Sequence, residues 1–182
     1  MAVEYITYNQ TEELVKKWPI IQGIKESLTI ELERLSKASK SEVDDYIVTK
    51  VAGNKFLSDL PSVGQISDTT GNIAASYQQV IEHDYINTLE AIKKEKLLIE
   101  LVDDKLNVAY RRLPFIQQRI VQLFYLENQT WRDTLNALNK DKIFFNKQQA
   151  QRQRRIAIER IQSISKITVD MYKQVMELVE VE

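Results

Sequence analysis

The chain has 182 residues, 43% apolar and 28% charged, with 25 Lys+Arg against 26 Asp+Glu, the balance of an ordinary soluble helical protein of one domain or two small ones. Four Gly and three Pro leave little material for hairpin turns and argue against an all-β fold. The absence of Cys removes disulfides and thiolate metal sites and fits a reducing cytosol; with no apolar run near the roughly twenty residues that span a bilayer and no signal-peptide pattern, a cytoplasmic protein with no membrane partner is expected.

Taken in order, residues 1–9 carry little signal and read as a disordered or loosely packed arm. From Thr11, with Glu12 and Glu13 in a first turn where the helix dipole favours acids, a helix is expected to about Ser39, with a start, break or kink near Trp18 because of Pro19. Ile20, Ile24, Leu28, Leu32 and Leu35 form its apolar stripe. Glu42 to Lys50 reads as a short helix, and the following stretch to Asn72 as the loop-like centre of the chain. A two-stranded hairpin using Tyr46, Ile47, Val48 and Val51 fits there equally. Then Ile73, Tyr77, Ile81, Tyr85, Leu89, Ile92, Ile99, Val102, Leu106 and Ala109 keep a three-and-four spacing, which predicts a helix of over thirty residues, roughly 50 Å long. Such a helix needs a partner, and the economical one is the first helix, packed antiparallel as a helical hairpin. Residues 1–110 therefore read as a helical interaction domain and 111–182 as a second domain.

The second domain opens at Leu113-Pro114, where a proline suits the start of a helix. Ile116, Ile120, Leu123 and Phe124 share one face, Glu127-Asn128-Gln129 reads as a turn, and Thr130 as the N-cap of a short helix that buries Trp131, Leu135 and Leu138. A third helix begins near Asn146, another capping residue, and carries Lys147, Gln148, Gln149, Gln151, Arg152, Gln153, Arg154 and Arg155 before Ile156, Ile158 and Ile161 restore an apolar face. Arginine bonds guanine or phosphate, and glutamine bonds the adenine edge. Between Lys142 and Arg160 only Glu159 is acidic, against six basic residues; a solvated surface helix would normally mix in more glutamate. From Arg111 to Arg160 there are 11 Lys+Arg and 4 Asp+Glu, net +7, so the remainder carries 14 against 22, net −8. That asymmetry suits a basic module for double-stranded DNA joined to an acidic interaction part. After it, Ile161, Ile164, Thr168, Met171, Val175 and Leu178 form a short heptad seam that either extends the third helix toward a second copy or folds back on the hairpin. A homodimer through this last helix is the slightly favoured reading.

This run resembles region 4 of sigma-70-type factors, and more closely the sigma-region-4-like activators of phages and prophages of the ArpU and RinA type. The resemblance rests on Leu113-Pro114, on Gln117-Gln118-Arg119-Ile120-Val121, on Tyr125 before the turn, on Thr130-Trp131, and on Gln149, Arg152, Arg155, Ala157 and Ile158 in the third helix. More loosely, Ile66 to Ala74 also looks like a stretch that precedes the long helix in such proteins. The resemblance implies a helix-turn-helix transcription activator of late genes, such as packaging or lysis, in a bacterial host. The sequence departs from the family pattern between Asn139 and Phe145, where a short Gly-containing turn is usual, and at Leu135, where a small residue is usual. Either the second helix is extended or Phe144 and Phe145 plug the gap left by a wider crossing.

No chemistry-bearing constellation points to an enzyme or a cofactor. His83 lacks spaced ligands for a metal site, Asp44-Asp45 and Asp103-Asp104 read as solvated charge, and Ser67 has no histidine partner. Trp131, Phe144 and Phe145 could stack on bases, but core packing of the helix-turn-helix is the favoured reading. The expected fold is all-α: a long helical hairpin, a sigma-region-4-like helix-turn-helix and an extended last helix. Gln148, Gln149, Gln151, Arg152 and Arg155 are expected at base edges or nearby phosphates, and Lys142, Lys147, Arg154 and Arg160 on the backbone. Two other readings stay open: a DNA-binding phage assembly component such as a small terminase subunit, and a helical protein whose basic surface binds RNA polymerase rather than DNA.

Overall fold

The computed structural model describes residues 3–37 and 69–180. Among them the regular structure is entirely helical, in six α-helices: α1 (Tyr8–Lys37), α2 (Thr69–Arg111), α3 (Phe115–Val121), α4 (Trp131–Lys140), α5 (Lys147–Ser165) and α6 (Val169–Glu180). No helix of the described residues is long and apolar enough to cross a membrane. The short helix expected at 42–50, the hairpin alternative with Tyr46, Ile47, Val48 and Val51, and residues 66–68 of the stretch loosely similar to phage proteins lie outside the described residues.

Helix α1 begins a turn earlier than the acidic pair suggests, because Thr7 and Gln10 cap it reciprocally. The Thr7 amide donates to Gln10 Oε1 at 2.9 Å and the Gln10 amide donates to Thr7 Oγ1 at 3.4 Å, which satisfies two otherwise orphaned donors. The helix runs through Pro19 without ending there. Helix α2 is 43 residues long, about 65 Å at ~1.5 Å per residue, and ends where the Arg112 and Leu113 amides donate to Ala109 and Tyr110.

The chain divides into two compact units, residues 1–26 with 97–182 and residues 27–96. In the first unit the start of α1 and the end of α2 lie together with the helices after residue 111. Ile6, Leu14, Val15, Trp18 and Ile21 are buried there, as are Ile99, Val102, Leu106 and Ala109 of α2. The Trp18 and Tyr110 rings meet edge to face with centroids 5.7 Å apart, and farther along α1 Lys25 reaches back along α2 to Asp103, so the two helices run antiparallel here. In the second unit Leu28, Leu35 and Ile92 are buried, and the Tyr85 hydroxyl donates to the Leu35 carbonyl at 2.7 Å.

Asp103 corrects its reading as solvated charge. It is 3% exposed and accepts from Trp18 Nε1 at 2.7 Å, Lys25 Nζ at 2.7 Å, Asn107 Nδ2 at 3.1 Å and Gln22 Nε2 at 3.5 Å. Burial pushes its carboxyl up, but the bonds from Lys25 and Trp18 outweigh that and hold it below the ordinary carboxylate range.

The start and end of the described chain also differ from expectation. Ile6 is buried, its amide donates to Ile167 at 3.1 Å, and the Val169 amide donates to Glu4 at 3.1 Å; residues 4–6 are thus clasped against the α5–α6 corner. At that corner Lys166 is left-handed (φ 46°), so α6 is a separate helix that turns back rather than an extension of α5. Its Tyr172 hydroxyl donates to Glu13 of α1. Val175, Met176 and Val179 are buried within the chain, whereas Met171 and Leu178 of the expected seam are half-buried.

Candidate nucleic-acid interface

Helices α3, α4 and α5 form a three-helix unit around Ile120, Leu123 and Leu138, with Ile116, Ala137, Ile143 and Phe145 packed on them. The chain leaves α3 through one π-helical turn, Gln122–Leu126, and reverses at Asn128, whose φ is +50°, a conformation that Asn tolerates better than most residues. Thr130 then caps α4 as expected, its hydroxyl accepting from the Asp133 amide at 3.3 Å. Thr134 and Leu138 are the buried positions of α4; Trp131 and Leu135 are half-buried. Helix α4 stops at Lys140, so the longer link to α5 is not an extension of that helix. It turns at Lys142 (φ 61°), and the Ile143 amide donates to Leu138 at 2.9 Å.

Of the two phenylalanines in this link, Phe145 packs inward with Ile143, whereas Phe144 is 77% exposed. The expectation that both fill the core is corrected. The segment is non-helical, so side chains at 143 and 145 share one side and the one between them faces the other way.

Helix α5 starts on a reciprocal cap. Asn146 Oδ1 accepts from the Gln149 amide at 2.9 Å, and Gln149 Oε1 accepts from the Asn146 amide at 3.0 Å, so the Gln149 carbonyl is occupied in holding the helix start. Asn-x-x-Gln was visible in the sequence as a capping signal. Ala150, Ala157, Ile158, Ile161 and Ser165 are its buried side. Lys105 of α2 donates to the Ser165 carbonyl at 3.3 Å, placing a cation where the helix dipole is negative.

The expected site residues fall into two groups. Lys142, Lys147, Gln148, Gln149, Gln151, Arg152 and Arg155 are exposed, and Gln148, Arg152 and Arg155 follow each other at steps of four and three on the outward side of α5. Arg152 has no ion pair or hydrogen bond among the described residues. Arg155 Nε bonds Glu159 at 3.0 Å within the same helix, with 74% of its side chain exposed, so water competes for that pair.

Arg154 and Arg160 have partners within the molecule, although Arg160 is also exposed. The Arg154 guanidinium lies over Phe124, Trp131 and Tyr125, at 5.2, 5.6 and 6.0 Å from the ring centroids, and 3.6 Å from Glu12. Arg160 Nη1 donates to Gln117 Oε1 at 3.1 Å, and Gln117 Nε2 donates to Gln153 Oε1 at 3.0 Å. Gln117 is buried; this amide joins α3 to two points of α5. Its role was not legible from its place in the polar run 117–119, because a glutamine there reads as surface.

No family model, curated protein or solved structure matches this chain. The residues from Lys142 through Ile158 include no acid; Asp141 just before them pairs with Arg119 at 2.7 Å, and Glu159 just after them pairs with Arg155 at 3.0 Å. Such a surface suits a polyanion, and the amides among its cations suit one that also presents donors and acceptors in a plane.

Proposed function

We propose that this chain is a sequence-specific DNA-binding transcription regulator in which α4, the 141–146 link and α5 act as a helix-turn-helix, carried on the α1–α2 hairpin. One observation carries the reading: on α5, Gln148, Gln151, Arg152 and Arg155 are exposed, the residues from Lys142 through Ile158 include no acid, and the ion pair on that side is Arg155 with the exposed Glu159, while Arg154 is packed against Phe124, Trp131 and Tyr125. A capped helix that presents Arg and Gln on its outer side has the groups that bond guanine and adenine edges in the major groove. Lys142 and Lys147 flank its start and suit phosphates. The resemblance to sigma-region-4-like phage activators points the same way and suggests late genes as the target.

The test is fluorescence anisotropy of the full chain with duplexes recovered from a random library, repeated across salt concentrations. Binding that weakens steeply with salt is expected, because phosphate contacts release counterions. Arg152→Ala is expected to cost ~1–3 kcal/mol on a recovered site and much less on random duplex. Absence of salt-dependent DNA binding would overturn the reading and move the basic surface to an acidic protein partner such as RNA polymerase.

A further inference from the structure

We propose that Phe144 reads a thymine: its ring makes apolar contact with the 5-methyl group of one thymine at the edge of the bases addressed by Gln148 and Arg152. This inference rests on the DNA-binding reading of α5 and adds a specificity residue that polar and charged side chains do not supply.

Single exposed apolar residues are common on protein surfaces, so the exposure of Phe144 is not the argument. Its placement is. Ile143 and Phe145 on either side are packed on the Ile120, Leu123 and Leu138 core, the Ile143 amide is bonded to Leu138, and Asn146 is locked in the reciprocal cap with Gln149. Phe144 is thus held out by an anchored backbone on both sides, a rigid presentation that limits the conformational entropy lost on contact. It stands just before the first turn of α5, the end whose residues meet base edges when a reading helix enters the major groove. Around it in sequence are Lys142, Asn146, Lys147 and Gln148, and the nearest carboxylate, Asp141, is paired with Arg119 at 2.7 Å. An apolar protein pocket would find few acidic rim partners to match these cations on anything but an acidic protein, whereas DNA offers phosphates for the lysines and one apolar feature in the major groove, the thymine methyl.

The experiment uses the full chain and duplexes selected from a random library. Selected sites are expected to share a thymine beside the positions sensitive to Arg152→Ala. Replacing that thymine by deoxyuridine removes only the methyl and is expected to weaken wild-type binding about fourfold, the equivalent of one buried methyl group. Phe144→Ala is expected to weaken binding to the thymine site by at least as much and to make the protein indifferent to the deoxyuridine change, with an unaltered salt dependence and thermal midpoint. Phe144→Leu should recover part of the preference for thymine. Selected sites without a shared thymine, or a Phe144→Ala variant that keeps wild-type affinity and wild-type sensitivity to deoxyuridine, would overturn the inference while leaving DNA binding by α5 intact. A wild-type protein that binds no DNA would overturn both.

Discussion

Arg154 on α5 and Glu12 on α1 lie 3.6 Å apart, and through them the helix that presents the basic stripe is tied to the first helix of the chain, 142 residues earlier. The same Glu12 carboxylate accepts from the Tyr125 hydroxyl at 2.7 Å, and the Arg154 guanidinium covers Phe124, Tyr125 and Trp131. Burial, then the bond to Glu12, pushes the Tyr125 hydroxyl far above the ordinary tyrosine range. The most cationic helix thus spends one of its arginines on orientation.

Arg154→Met, which keeps the apolar stem and removes the charge, is expected to lower stability by ~1–3 kcal/mol in urea titration. Arg154→Lys should recover little, because an ammonium cannot spread over three rings as a guanidinium does. Neither substitution should change the slope of DNA affinity against salt; a slope reduced by about one would make Arg154 a phosphate contact instead.

Asp103 makes the protein acid-sensitive. Its carboxyl is held below the ordinary range in the folded chain, so its contribution is fully present above the unfolded value of about 3.9 and is lost as pH falls through the lower folded value. Asp103→Asn should destabilise the protein at pH 7 by ~1–3 kcal/mol through the bonds it weakens at Lys25 and Trp18. It should also flatten the stability profile below pH 4. A variant whose urea midpoint falls with acid as steeply as wild type would show that other carboxylates dominate.

The clasp of α6 on α1 is expected to fail in alkali. Burial and the bond to Glu13 push Tyr172 up to about 12, against about 10 for an unperturbed tyrosine. Its contribution is present below pH 10 and is lost as pH rises from 10 through 12. Tyr172→Phe should remove this component, and following stability by tyrosine absorbance between pH 9 and 12 reads the difference.

Gln117→Ala should separate α3 from α5. It leaves Gln153 and Arg160 without their shared partner, at an expected cost of ~1–3 kcal/mol. Asn146→Ala removes the α5 cap and is expected to cost ~1 kcal/mol. In that variant, faster amide exchange confined to the first turn of α5 is the signature of a lost cap, whereas faster exchange throughout the three-helix unit would indicate a wider role.

Helix existence and type were legible in the sequence because they depend on local spacing: the stripe of α2, the caps at Thr130 and Asn146 and the turn at 127–129 each follow from residues within about a turn of one another. The tertiary structure decided what depends on distant partners. Whether an arginine of α5 faces solvent or Glu12, whether Asp103 is solvated or saturated by four donors, which of Phe144 and Phe145 fills the core, and whether α6 extends or folds back are settled by chain segments far away in sequence. Periodicity assigns a residue to one side of a helix, but only the packing of the whole chain determines what that side meets.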